Sequence, residues 1–440
     1  MQRAAVAVSS FLLAFSATAY VICNENAYQI NGFLGIQTSE IHEAENTDVD
    51  TEYYKSKYNS VKAVKEAGLA AVEEVEAEGA VLLKNEKNAL PLASDSRKIS
   101  LFGTSSVNPL YAGTGSSGID TSTAPTMKSS FENAGFDVND ELWDFYKSHP
   151  QTNKATYVSG GYAAGARGSF AINEVPWDDV ATKSATFSEY GDAAVVNFAR
   201  TAGEGADMPS SSGKTQADLY EDAESKTGKI ENGNYLALSE SEKQLLRGLK
   251  AEKDAGRIKK IIVLINTANA MQLGFLDDEQ YGIDAALWIG TPGQSGLNAV
   301  ADIIAGTVTP SGSLVDTYYT DNLKYNPSMS TFGDNIYENY GEYITDSRIA
   351  GGMNRYTVYQ EGIYVGYRYT ETRYEGSVLK QGNAGDFDYD EVVSYPFGYG
   401  LSYTTFSYSD FDVQESNDVY SITSSCLKST ISPVYSVGFR

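Results

Sequence analysis

The chain has 440 residues, 42% hydrophobic and 21% charged, enough for one large folded domain and pieces of others. Its formal charge of −25 would repel nucleic acid and anionic lipid, so neutral or weakly charged ligands suit it better. Two histidines (His42, His149) and two cysteines (Cys23, Cys426) exclude a zinc site built on those ligands and imply no disulfide framework. No G-x-S-x-G elbow occurs, and carboxylates remain as the candidate catalytic groups.

In chain order, "AAVAVSSFLLAFSATAYVIC", Ala4 to Cys23, follows Arg3 and reads as a secretory signal or an uncleaved signal anchor. "ATA" at Ala17 to Ala19 offers a cleavage site, while the apolar run approaches the ~20 residues a membrane span needs. Either reading places the rest of the chain outside the cytoplasm, secreted or membrane-anchored. Residues 25–60 are polar and weakly periodic, as in a stalk. A helical pattern then runs from Val61 through Val75, and β-like "AVLL" follows at Ala80 to Leu83.

Short apolar runs at Ile99 to Gly103, Ala193 to Phe198, Ile261 to Ile265 and from Ile283 predict buried strands. Between the second and third, "SESEKQLLRGLKAEKDAG" predicts a helix. Ser239 and Glu242 form a capping box, Leu245, Leu246 and Leu249 a buried stripe, and Gly256 the stop. "GLNAVADIIAG" predicts another helix ending at Gly306. Strands apolar on both faces and alternating with helices define an α/β fold, a mostly parallel sheet sandwiched by helices.

Two patterns imitate ligand sites. Gly113, Gly115 and Gly118 fit G-x-G-x-x-G, with Asp140 at a ribose-binding distance, but nine residues separate the strand from the glycines and "GTGSSGID" is poor helix material. We read it as a Gly/Ser loop at the sheet rim rather than a nucleotide site. Asp386, Asp388 and Asp390 imitate a calcium loop, but Glu391 replaces the required glycine and Phe397 the closing glutamate. No cofactor or metal is expected. Beyond residue 320 the texture changes to aromatic and polar alternation, as in "EGIYVGYRYTETRYEGSV".

Three segments together carry a family resemblance: "GTPGQSGLNAVADIIAGTVTPSGSL", "GIYVGYRYT" and above all "YPFGYGLSYTTF" at Tyr395 to Phe406. They resemble glycoside hydrolase family 3, the family of many β-glucosidases, and "EGAVLLKNEKNALPL" resembles the start of its α/β sandwich domain. The resemblance spans about residues 65 to 412. It implies retaining cleavage of terminal β-linked glycosyl residues, with a (β/α)8 barrel supplying an aspartate nucleophile and the sandwich an acid/base glutamate on a loop. "RTAGEGAD", Arg200 to Asp207, is similar to that loop. The acid/base role falls on Glu204, and Gly203, Gly205 and Asp207 are the implied substrate-binding neighbours. Met208 stands where relatives often have arginine.

The position of Glu204 fits this role, because ligands collect beyond the carboxyl ends of strands in an open α/β sheet and small neighbours admit a bulky substrate. A retaining enzyme needs an acid whose pKa is raised towards ~6 by burial and a second carboxylate ~5 to 5.5 Å away. No stretch matches the family nucleophile; Asp144 in "LWDF" and Asp178 and Asp179 in "WDDV" lie outside any barrel pattern.

The expected organisation is a signal peptide or anchor (1–24), the stalk (25–60) and the α/β sandwich (61–320). An aromatic-rich connecting region packing on the sandwich (321–395) and a truncated start of a fibronectin type III-like module (396–440) follow. Such a chain is a permuted, shortened family member that holds the acid/base domain and needs the barrel as partner. The alternative is a non-catalytic, membrane-tethered carbohydrate-binding or scaffold protein.

Overall fold

The computed structural model describes residues 2–34, 56–158, 169–204, 235–328, 339, 342, 358–382, 384–416 and 419–430. The chain divides into two units, Met1–Val61 and Lys62–Arg440. Most of the expected stalk, residues 35–55, lies outside the described residues.

In the first unit, helix Gln2–Glu25 is followed by helix Ala27–Phe33. Val8–Glu25 is long and apolar enough to cross a membrane, with mean hydropathy 1.3. Its large apolar side chains, among them Phe11, Leu12, Leu13 and Phe15, are exposed.

The second unit is built on a six-stranded sheet, ordered β1-β8-β7-β6-β2-β3. These strands are β1 (Val81–Asn85), β2 (Lys98–Phe102), β3 (Asp137–Val138), β6 (Ala193–Ala199), β7 (Ile261–Asn266) and β8 (Ala285–Trp288). The short pair β4 (Tyr157–Val158) and β5 (Ser169–Phe170) stands apart. All neighbours in the large sheet are parallel except β1, which runs antiparallel to β8. The expected strands therefore form, with β1 as an antiparallel edge.

Burial on both faces explains the unbroken apolar runs, since successive side chains point to opposite sides. Phe102, Val196, Phe198, Val263 and Ile265 pack with Leu245, Leu246 and Leu249 of helix Glu240–Asp254. Leu101, Val195, Ile262, Leu264 and Leu287 face the other way, towards Phe131 of helix Met127–Asn133 and Val300, Ile303 and Ile304 of helix Leu297–Ala305. Helix Glu240–Asp254 carries the expected capping box, and Gly256 follows its end with φ +74°. Gly306 closes helix Leu297–Ala305 in the left-handed conformation, φ +83°.

The segment around "YPFGYGLSYTTF" straps the β1 edge. Leu401 N–H donates to Leu82 O at 2.8 Å, Tyr399 Oη to Leu83 O at 3.0 Å, and Tyr403 Oη to Ile303 O at 2.9 Å. A Cβ on Gly400 would overlap Gly312 O, so only glycine lets the two backbones meet. The strap occupies edge groups that would otherwise invite another strand.

Beyond residue 317, β9 (Tyr318–Tyr319) pairs with β10 (Val393–Tyr395), which puts Tyr318 and Tyr395 in the core. The aromatic and polar alternation does not produce a strand at its centre: Tyr367–Leu379 is a helix, with Thr370 buried and bonded to Tyr319 Oη at 2.9 Å. Asp388, one of the calcium-like aspartates, caps the short helix Tyr389–Val392 through the N–H groups of Asp390 and Glu391. The chain then forms a hairpin, β11 (Thr404–Ser416) and β12 (Val419–Thr430). Among the described residues these two strands pair only with each other.

Candidate functional site

The chain leaves β2, adds β3 on one side, then returns to place β6, β7 and β8 on the other. The boundary between β2 and β6 is thus the switch point of the sheet, and the crevice beyond the carboxyl ends of these strands is where an open α/β sheet takes ligand. Both loops leaving that boundary converge on Glu204.

After β6, Arg200 turns inward and is fully buried. Its guanidinium donates to Tyr235 O at 2.6 Å, Ala199 O at 2.9 Å and Ala237 O at 2.7 Å, and grips Glu242 at 2.8 and 2.7 Å. A buried charge needs such a set of partners, and the planar fork of arginine supplies donors in fixed directions. The next N–H, on Thr201, donates to Tyr235 Oη at 3.0 Å. The root of the loop is therefore fixed, while Gly203 and Glu204 beyond it are exposed.

After β2, the loop is held by Asn266 at the carboxyl end of β7. Asn266 Oδ1 accepts Leu110 N–H at 2.7 Å, and its Nδ2 donates to Leu110 O at 2.9 Å and Gly290 O at 2.8 Å. That loop continues into the glycine-rich segment, where Thr114 makes a parallel bridge to Gly203. Thr114 Oγ1 donates to Glu204 O at 2.8 Å, and Ser116 N–H donates to Glu204 Oε2 at 2.6 Å. The Ser116 hydroxyl donates to the same oxygen. Gly115, with φ +69°, lies so close that a Cβ there would stand 2.6 Å from Glu204 Oε2 and 2.7 Å from its Cβ. The false dinucleotide motif is thus the seat of the candidate acid/base.

Glu204 is exposed, and the two Ser116 donors hold its carboxyl below the usual glutamate range. The burial-raised acid expected from the sequence is not its condition here, because hydrogen bonds to the ionised form outweigh a negligible loss of water. Gly203 is described and lies against Thr114; Gly205 and Asp207 lie outside the described residues. Asp144, Asp178 and Asp179 are exposed on helices Asp140–Ser148 and Trp177–Ala181, where Asp179 faces His149 at 3.5 Å.

Behind this rim is a cavity of about 130 Å³ whose lining includes Thr104, Asn108, Glu174, Thr201, Tyr235 and Glu242. Glu174 is buried, and burial, then the charge of Glu242, pushes its carboxyl up to about 8. Val175 N–H at 2.9 Å and Thr104 N–H at 3.2 Å pull the other way without prevailing. The acid raised by burial at this end of the sheet is Glu174, which the sequence reading missed. Its only signal was a glutamate in the apolar context "FAINEVPW".

The sequence profile of the Glycosyl hydrolase family 3 C-terminal domain matches residues 80–367, well over half of the chain. A β-glucosidase of Ruminococcus albus is 29% identical over 337 residues, covering 76% of this chain and 28% of that protein. β-Glucosidase A of Butyrivibrio fibrisolvens is 29% identical over 349 residues, covering 78% of this chain and 35% of that protein. The solved structure of β-glucosidase 3B from Thermotoga neapolitana in complex with glycerol superposes with a TM-score of 0.59 at 25% identity. That match covers 85% of this chain and 43% of the Thermotoga chain. The chain belongs to glycosyl hydrolase family 3, in the region of the C-terminal domain. It spans roughly a third of the length of these two curated relatives.

Proposed function

We propose that this chain carries the acid/base half of a retaining β-glucosidase-like site, with Glu204 as the proton-transferring group. The observation that carries this reading is the placement of Glu204: at the sheet's switch point, on a loop rooted by a buried ion pair, with one carboxylate oxygen tied to Ser116. Its Oε1 has no hydrogen-bond partner among the described residues and is open to a substrate oxygen.

In retaining hydrolysis such a group protonates the departing glycosidic oxygen, then takes a proton from the water that releases the sugar. Bound sugar would strip water from the carboxyl and raise its pKa towards the working range. In this reading the substrate is a β-linked glucoside or short oligosaccharide, as the relatives' names indicate for those proteins. The nucleophilic aspartate is assigned to a family 3 barrel acting with this unit, and Gly205 and Asp207 to the sugar-binding rim. The apolar helix Gln2–Glu25 is read as a signal or anchor that places the domain outside the cytoplasm. The truncated start of a fibronectin type III-like module is retained as the reading of residues 396–440, which include the hairpin of β11 and β12.

One observation favours a non-catalytic, carbohydrate-binding role instead: Glu204 as it stands favours the ionised state, which accepts sugar hydroxyls but donates no proton. Calorimetric titration with cellobiose beside an aryl β-glucoside assay separates the two. Azide-dependent turnover that disappears in Glu204→Gln supports the acid/base role; cellobiose binding with no turnover even with azide supports the binding module.

A further inference from the structure

We propose that Ser116 is a positioning residue for Glu204: it binds Oε2 through both its N–H and its hydroxyl, and so dedicates Oε1 to proton exchange with the substrate. The inference rests on the acid/base reading of Glu204 and adds the group that orients it.

The two contacts converge on one oxygen from one residue, so they anchor Oε2 and leave Oε1 as the oxygen without a donor among the described residues. The backbone makes the same arrangement hard to avoid. Thr114 holds Glu204 O, and the Thr114–Gly203 bridge aligns the two loops. Gly115 leaves space for the glutamate side chain to lie across the turn; any larger residue would displace the carboxylate from Ser116. Gly203, with φ +152°, lets the partner loop pass Thr114 where a Cβ would stand 2.8 Å from Thr114 Oγ1.

The contact joins residues 88 apart in sequence, the loop after β2 and the loop after β6. Its chemical consequence is a preference. Donors to Oε2 favour the ionised carboxylate, the form that serves as base when water attacks, and they make the proton on Oε1 easier to give when the sugar leaves. Ser116 would thereby act on both half-reactions without touching the reacting atoms.

The test is a titration of the Glu204 carboxyl by carbon-13 NMR in the full chain labelled at glutamate Cδ, with the resonance identified by its absence from Glu204→Gln. In Ser116→Ala the midpoint is expected to rise, because one donor to the charged form is lost while the N–H remains. Ser116→Thr, which keeps a hydroxyl, should restore it, and Ser117→Ala on the same turn should leave it unchanged. An unchanged midpoint in Ser116→Ala, or an equal rise in Ser117→Ala, overturns the assignment. The readout needs no turnover, so it can fail while Glu204→Gln still abolishes hydrolysis, and can succeed while Glu204 proves dispensable to hydrolysis.

Discussion

Arg200 and Glu242 meet through two parallel hydrogen bonds of 2.8 and 2.7 Å, with side-chain exposures of 0% and 3%. The same carboxylate accepts Ser239 N–H at 2.8 Å and closes the capping box. One glutamate thus fixes both the start of a core helix and the root of the Glu204 loop. Removing the arginine leaves a buried charge unpaired, which costs about 3–5 kcal/mol. Arg200→Met should lower stability to urea by that order, and Arg200→Lys should not restore it, because an ammonium cannot reproduce the five contacts of the fork.

Glu174 gives the fold a pH dependence of definite sign. Its carboxyl, raised to about 8, keeps its proton in the native state where an unfolded glutamate has lost it. Stability therefore falls as pH rises from about 4.5 to about 8, at up to roughly 1.4 kcal/mol per pH unit, and levels off above. Glu76, buried and likewise raised to about 8, acts in the same window. Urea midpoints measured from pH 5 to 8 should fall less steeply in Glu174→Gln than in the parent chain.

Asn266 is expected to control the loop that bears Ser116. Asn266→Ala removes one acceptor and two donors and leaves Leu110 N–H, Leu110 O and Gly290 O to find other partners, at a cost of about 2 kcal/mol or more. Hydrogen exchange should show faster exchange at the Leu110 amide and through the 110–118 segment, with the central strands β6 and β7 still protected.

The strap over β1 should be sensitive where backbones meet and tolerant where only a hydroxyl is lost. Gly400→Ala drives a methyl into Gly312 O and is expected to destabilise by about 1–3 kcal/mol or more. Tyr403→Phe loses one bond to Ile303 O and should cost about 1 kcal/mol. Thermal unfolding of the two variants checks the order.

The strands and both core helices were legible because their signals are local. Apolar runs such as "IIVLI" have no meaning other than burial on two faces, and Ser239 and Glu242 cap a helix three residues apart. The antiparallel direction of β1 was not legible, since an apolar run carries no orientation. Nor was the helix at Tyr367–Leu379, whose aromatic alternation masks a helical segment anchored by Thr370 on Tyr319. Glu204 was singled out by the resemblance of "RTAGEGAD" to the family's acid/base loop, but its environment was not legible. Its partner Ser116 lies 88 positions earlier, and only the fold shows that the carboxyl is exposed and held by donors. Arg200 was in view within "RTAGEGAD", yet its burial depends on Glu242, 42 residues on.

The claim that Glu204 delivers the proton is tested most directly by supplying azide as an external nucleophile. Attack of azide at the anomeric carbon breaks the bond to the aryl oxygen, which takes the Glu204 proton, and a glycosyl azide results. With an aryl β-glucoside of weakly acidic phenol, the chain is expected to show azide-dependent phenol release that Glu204→Gln reduces by about 10²-fold or more. Azide-dependent release that is equal in the two proteins, or no release from either, would contradict the account.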